Sequence, residues 1–178
     1  KQVDAVDAPI AELDTGVCFV MIEPTAERTF VTTQGAERRI TPESLAQSHP
    51  QSGDLVCISG FSLVGRTRDP LLTWLDDLPA DVVVVLDPGT TFADVPDDLQ
   101  QRVLGRVDVW TSNLDEARSL TGESRMAVAA PLVAARIRPG GVAIVRDGPN
   151  GCVVHADATT TPVPGYPRTP VDTNGAGD

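Results

Sequence analysis

Val82-Val83-Val84-Val85-Leu86-Asp87 is apolar at every position but the last. A strand with one face in water alternates polar and apolar side chains, whereas a strand covered on both faces has no need to. The run therefore predicts a buried strand of a parallel sheet over 82–87. Shorter runs of the same kind stand on either side of it, at Leu55-Val56-Cys57-Ile58-Ser59, at 107–110 and at 142–145. Helical patterns fill the intervals. Leu71, Leu72, Leu75 and Leu78 recur at i, i+1, i+4 and i+7 over 69–78, and further helices are expected at 97–104 and at 114–120, ending at Gly122. The Ala-rich 127–138 reads as helical despite Pro131, and Thr41-Pro42-Glu43-Ser44 starts a helix, with Thr41 as cap and Pro42 in the first turn. Strands alternating with helices in this way predict an α/β fold, a doubly wound, Rossmann-like, mainly parallel sheet covered by helices on both sides.

The chain before residue 41 obeys a different rule. Val17-Cys18-Phe19-Val20-Met21-Ile22 and Thr29-Phe30-Val31-Thr32-Thr33 are β-rich and are joined through a Glu23-Pro24-Thr25 turn, which predicts a hairpin. Strand character returns after Asn150-Gly151, a turn signal, and runs to about 163. The expected organisation is thus a small β unit at 15–40, an α/β core at 41–178, and in 1–14 the start of an N-terminal part.

Composition removes several classes of function. The 178 residues carry 14 basic and 25 acidic side chains, a net charge of −11, with 4% aromatics. Nucleic acids and anionic membranes are poor partners for such a surface. Lys1 is the only lysine, and the other cationic side chains are arginines. This excludes from the chain a P-loop lysine, a protein-kinase strand lysine and Schiff-base chemistry. His49 and His155 are the only histidines, and neither stands in a metal-ligand spacing. Cys18, Cys57 and Cys152 each sit in an apolar run, which predicts buried, reduced thiols in a cytoplasmic protein.

In a parallel sheet with right-handed crossovers, the loops after the strands gather on one edge, and ligands bind there. Gly60-Phe61-Ser62-Leu63-Val64-Gly65-Arg66-Thr67 follows a strand and imitates a phosphate loop, but Arg66 stands where a compact ammonium is required. It reads as a glycine-punctuated strand end. No G-x-G-x-x-G follows any strand, which speaks against dinucleotide chemistry. Asn113-Leu114-Asp115-Glu116 has two readings: a capping box at a helix start, or an amide and a carboxylate on one helical face that hold a hydrated Mg²⁺. Gly148-Pro149-Asn150-Gly151 is equally a hairpin turn or a loop that lets a nucleotide approach the backbone.

Asp172-Thr173-Asn174-Gly175-Ala176-Gly177-Asp178 is more specific. Two glycines and an alanine leave consecutive N–H groups uncovered, a nest suited to an anion. A carboxylate beside a bound phosphate is costly unless it has a task, such as taking the proton of an attacking hydroxyl.

This segment resembles the signature of the PfkB/ribokinase family of carbohydrate and nucleoside kinases. The order of features agrees along nearly the whole chain. Thr15-Gly16 with Glu27-Arg28-Thr29-Phe30 is similar to the family's lid strands, Asp87-Pro88 to its Asp-Pro loop, Asn113-x-x-Glu116 to its magnesium motif, and Gly148-x-x-Gly151 to its nucleotide loop. The resemblance implies a ribokinase-like fold with a small β lid, and transfer of the γ-phosphoryl of ATP to a sugar hydroxyl. It further implies Asp178 as general base and the amides of Gly175, Ala176 and Gly177 as anion hole. Asn113 and Glu116 would hold Mg²⁺ through water, and Gly148 and Gly151 would lie along the nucleotide. Asp172 and Asn174 are the candidates for a monovalent cation such as K⁺, and Thr15 and Gly16 for substrate contact from the lid.

Two departures stand out. Arg146 replaces a Thr or Ser frequent in the family and becomes a candidate for a nucleotide phosphate, and the Asp-Pro loop continues as Gly89-Thr90-Thr91 rather than to an Asn and an Arg. Family members are also longer at both ends, so the expectation is that this piece belongs to a longer polypeptide and is inactive alone. A nucleoside or vitamin alcohol in place of the sugar, or a non-catalytic ligand-binding relative, are the alternatives. Homodimerisation through the lid strands is the candidate self-association.

Overall fold

A computed structural model describes residues 10–23 and 28–166. It contains eight strands and five α-helices: β1 (Cys18–Ile22), β2 (Arg28–Thr32), α1 (Pro42–Ala46), β3 (Leu55–Ser59), α2 (Arg68–Asp77), β4 (Val83–Asp87), α3 (Asp97–Leu104), β5 (Val109–Asn113), α4 (Leu114–Thr121), α5 (Met126–Ala134), β6 (Val142–Arg146), β7 (Cys152–Ala156) and β8 (Thr159–Val163). β1 and β2 form a separate antiparallel hairpin, while the other six strands make one sheet in the order β3-β4-β5-β6-β7-β8. Pairing from β3 to β6 is parallel, and from β6 to β8 antiparallel. The fold is α/β with a mainly parallel sheet, as the apolar runs indicated.

Neighbours in chain order, joined by right-handed crossovers, send each connecting helix to the same face of a sheet. The burial pattern agrees. Val84 and Leu86 of β4, Trp110 of β5 and Ala143 and Val145 of β6 are buried in one core with Leu75 of α2, Ala117 of α4 and Ala129 and Val133 of α5. The alternate residues Val85, Thr111, Ile144 and Arg146 are half-buried on the opposite face. Among the described residues, helical cover therefore lies on one face, where the sequence reading expected it on both. At the centre of the core Trp110 meets Phe92 edge-on, with centroids 5.6 Å apart at 76°. The Trp110 indole N–H donates to Ser112 Oγ at 2.8 Å, so the polar atom of this buried ring is satisfied.

Several boundaries differ from the sequence expectation, for physical reasons. β5 was expected at 107–110 but begins at Val109. The Asp108 carboxylate accepts the Val84 N–H at 2.9 Å, taking a donor that a backbone carbonyl of the neighbouring strand would otherwise accept. The same carboxylate receives Arg138 at 3.0 Å and Arg106 at 3.4 Å. Those two guanidinium groups also cap the carbonyls of Pro79, Ala80 and Val82. The result is a knot of side chains at the amino edge of the sheet. α5 ends at Ala134 rather than near Arg138, because the Arg138 N–H is drawn to the Val107 carbonyl at 3.0 Å.

The cysteines also require correction. Cys18 and Cys57 are exposed and Cys152 is half-buried, all three as free thiols. Cys18 lies on the hairpin and Cys57 on the edge strand β3, so an apolar neighbourhood in sequence did not translate into cover. No helix among the described residues is long and apolar enough to cross a membrane.

Candidate active site

The carboxyl ends of β4, β5 and β6 bring Asp87, Asn113 and Arg146 to one edge of the sheet. Asn113 and Arg146 are register partners. All three continue the half-exposed face, because each stands an even number of residues from Val85, Thr111 or Ile144 and side chains alternate along a strand. Arg146 Nη2 lies 3.3 Å from Asp87 Oδ2, while Asp87 Oδ1 accepts the N–H of Gly89 at 3.1 Å. The ion pair fixes the guanidinium at the strand end, and the Gly89 bond folds the Asp-Pro loop back on the same carboxylate.

Both readings of Asn113 and Glu116 coexist. Asn113 caps α4: its Oδ1 accepts the Glu116 N–H at 2.8 Å, and Glu116 Oε2 accepts the Asn113 N–H at 3.0 Å. α4 then closes at Gly122, in the left-handed conformation at φ 79°. The capping box locks the rotamers of both side chains yet leaves each oxygen a further lone pair. Partial burial is the largest influence on the Glu116 carboxyl and lifts its pKa above the ordinary 4.5. The Asn113 amide opposes this, the Asp87 charge adds to it, and Arg146 lowers it again. Two carboxylates that repel across a half-buried edge are a donor set that a cation relieves, so these residues fit a hydrated Mg²⁺. Among the described residues no cluster of three or more His, Cys, Asp or Glu could hold a metal ion. A cavity of about 530 Å³ opens beside the pair, walled by Pro88, Gly89 and Thr90 and by Ser119 of α4.

Gly148 opens and Gly151 follows a single 3-10 turn that joins β6 to β7. They differ in kind. At Gly148, φ is 48° and a Cβ would meet nothing within 4 Å, leaving an open backbone surface. At Gly151, with φ 83°, a Cβ would lie 2.1 Å from the Val163 carbonyl and 2.5 Å from the Gly165 nitrogen. Its glycine is demanded by the chain leaving β8. That contact has a topological meaning: β8 runs back parallel to β6, with Cys152 pairing both Arg146 and Val163, so the chain returns to the carboxyl edge at residue 165. Asp172, Asn174, Gly175, Ala176, Gly177 and Asp178 lie outside the described residues.

Thr15 is exposed and Gly16 half-buried, at the foot of the hairpin. The Gly16 N–H donates to Glu37 Oε2 at 2.7 Å. Glu37 carries no motif, and Gly16 stands twenty-one positions away, so nothing local in the sequence marks that bond. The loop after β3 forms two 3-10 turns, and the Thr67 hydroxyl is committed to Arg38 and to the Val64 carbonyl. The phosphate-loop imitation at 60–67 is thus a packing element.

The family model for pfkB family carbohydrate kinase matches residues 3–178 of the chain. An uncharacterized sugar kinase, YegV, of Escherichia coli strain K12 is 30% identical over 172 residues, covering 94% of this chain and 53% of that protein. The chain thus spans about half the length of this curated relative. Among solved structures, Anopheles gambiae adenosine kinase in complex with P1,P4-di(adenosine-5) tetraphosphate superposes with a TM-score of 0.77 at 22% identity, over 94% of this chain and 54% of that one. Fructokinase from Vibrio cholerae O395 in its fructose, ADP and calcium ion bound form gives 0.71 at 20% identity, over 90% and 54%. At these identities the two structures speak to the fold, which is ribokinase-like.

Proposed function

The chain belongs to the pfkB family of carbohydrate kinases, and from that premise we propose that the full-length protein transfers the γ-phosphoryl of ATP to a hydroxyl of a small sugar. One observation carries the reading. Asp87, Asn113, Glu116 and Arg146 converge on a single sheet edge, and β8 delivers the chain to that same edge just before the Asp172 to Asp178 signature.

In this reading the hydroxyl oxygen of the acceptor attacks the γ-phosphorus in line, and the bond to the β–γ bridging oxygen breaks, releasing ADP. Asp178 takes the proton from the hydroxyl, while the amides of Gly175, Ala176 and Gly177 receive the charge that develops on the equatorial oxygens. Arg146 supplies a fixed cation to a nucleotide phosphate in a sequence without an internal lysine. Asn113 and Glu116 would hold Mg²⁺ through water, and the cation would supply neutralisation of phosphate charge when bound. Gly148 exposes backbone for the nucleotide, and Asp172 and Asn174 are assigned to a monovalent cation such as K⁺. The β1–β2 hairpin, apolar and exposed on both sides at Phe19 and Phe30, is the surface assigned to a lid and to homodimerisation.

The test is ATP turnover by the full-length protein against a panel of sugars and nucleosides. Turnover with a sugar is the expected result. Turnover restricted to nucleosides would keep the phosphotransfer and replace the acceptor class, and nucleotide binding without turnover on any acceptor would overturn the proposal.

A further inference from the structure

The two feet of the β1–β2 hairpin cross at backbone contact. A Cβ on Gly16 would lie 2.6 Å from Glu37 Oε1, and one on Gly35 would lie 2.1 Å from the Asp14 carbonyl. Around this crossing, the Ala36 N–H donates to the Asp14 carbonyl at 2.9 Å and the Thr33 N–H to the Val17 carbonyl at 2.9 Å. The Glu37 carboxylate then spans the crossing. Oε2 accepts from Gly16 at 2.7 Å and Oε1 from Gly35 at 2.9 Å, one oxygen for each foot. These amides, Gly35 foremost, hold the Glu37 carboxyl below its ordinary pKa.

The next residue turns the other way. Arg38 Nη1 donates to the Phe61 carbonyl at 2.9 Å and to Thr67 Oγ1 at 3.2 Å. The Phe61 ring lies against Gly89, where a Cβ would come within 3.0 Å of it, and a Cβ on Gly60 would fall 1.7 Å from the Pro88 carbonyl. Pro88 and Gly89 directly follow Asp87, the partner of Arg146. Two adjacent side chains of opposite charge thus join the hairpin's feet to the 60–67 loop, which packs on Pro88 and Gly89 beside Asp87, the partner of Arg146.

We propose that Glu37 is a positioning residue that fixes the angle of the hairpin over the carboxyl edge, and that Arg38 links this hinge to the Asp87–Arg146 pair so that nucleotide binding tightens it. Neither side chain touches a reacting atom. The inference rests on the kinase reading for its acceptor kinetics, whereas the hinge itself is measurable without turnover. A free hinge would let the hairpin sample angles that do not cover the acceptor, which weakens acceptor use and leaves the nucleotide site as it was.

The experiment is hydrogen exchange on the full-length protein over the peptides 14–18 and 33–37, with and without Mg²⁺ and a non-hydrolysable ATP analogue, alongside steady-state kinetics. In the wild type both peptides are protected, and the analogue slows them further. Glu37→Ala should raise their exchange by about tenfold or more, the loss expected of bonds to a charged acceptor. It should lower kcat/KM for the acceptor comparably, leaving the ATP KM within about twofold. Glu37→Gln keeps one accepting oxygen and should fall between. Arg38→Met should preserve basal protection and abolish the extra protection from the analogue. Unchanged exchange in Glu37→Ala, or a parallel fall of every kinetic constant with the melting temperature, would overturn the positioning role. Extra protection that survives in Arg38→Met would overturn the link. A wild type without turnover would sink the kinase reading, and the exchange measurements would still decide the hinge.

Discussion

Replacing Arg146 by Ala separates binding from folding in one variant. The Arg146 and Asp87 side chains are 33% and 43% exposed, so water screens their 3.3 Å pair and its loss should cost less than about 1 kcal/mol of stability. A domain of this size shifts its melting temperature by about 2–4 °C per kcal/mol, so the fold should register only a small change. The nucleotide should register much more. Charge-assisted hydrogen bonds from a guanidinium to phosphate oxygens contribute about 1.5–3 kcal/mol. That corresponds to an ATP KM raised about 10- to 150-fold. Arg146→Lys retains the charge without the planar fork and should recover part of the loss. Steady-state kinetics of the full-length protein with ATP varied at saturating acceptor, and a melting curve on each variant, give both quantities. An ATP KM within about twofold of wild type would refute the phosphate assignment. A large fall in melting temperature would show instead that the Asp87 pair is a structural tie.

Asp178→Asn should lower kcat by roughly 10²–10⁴-fold, as for a lost general base, and a smaller effect would move the base elsewhere. Burial raises the Glu116 carboxyl above its ordinary 4.5, so its contribution to folding is fully present below that value and is lost as pH rises through the folded pKa. In metal-free protein the melting temperature of Glu116→Gln relative to wild type should therefore climb as pH rises above about 4.5, and a flat or falling difference would contradict the burial argument. Asp108→Ala leaves the Val84 N–H without its acceptor and two guanidinium groups with backbone carbonyls but no counter-charge. The cost should be about 2–4 kcal/mol by calorimetry, with Asp108→Asn losing distinctly less, and a loss below about 1 kcal/mol would count against the knot.

Legibility followed sequence distance. The five-residue strand β4 and the capped start of α4 were plain because each is encoded within a few residues: a continuous aliphatic run in one case, Asn113 with Glu116 three positions later in the other. The hairpin was read within a residue or two for the same reason. What could not be read depends on remote partners. The start of β5 is set by Asp108 reaching Val84, the end of α5 by Arg138 reaching Val107, and the role of Glu37 by a glycine across the hairpin. Cys57 defied its apolar neighbours because β3 is an edge strand, a property of the sheet and not of the run. In the candidate site, Asn113, Glu116 and Arg146 stand out singly in the sequence, but the ion pair joining Arg146 to Asp87 spans fifty-nine positions and only the folded chain brings it together.

The strand order has a consequence for biosynthesis. From β3 to β8 every strand docks beside the one made just before it. A nascent chain therefore always finds its template already seated, with only a short crossover to close, and no strand must await a distant mate still inside the ribosome. The sheet can grow by accretion from one rim, each new rung being completed by the stretch of chain that has most recently emerged.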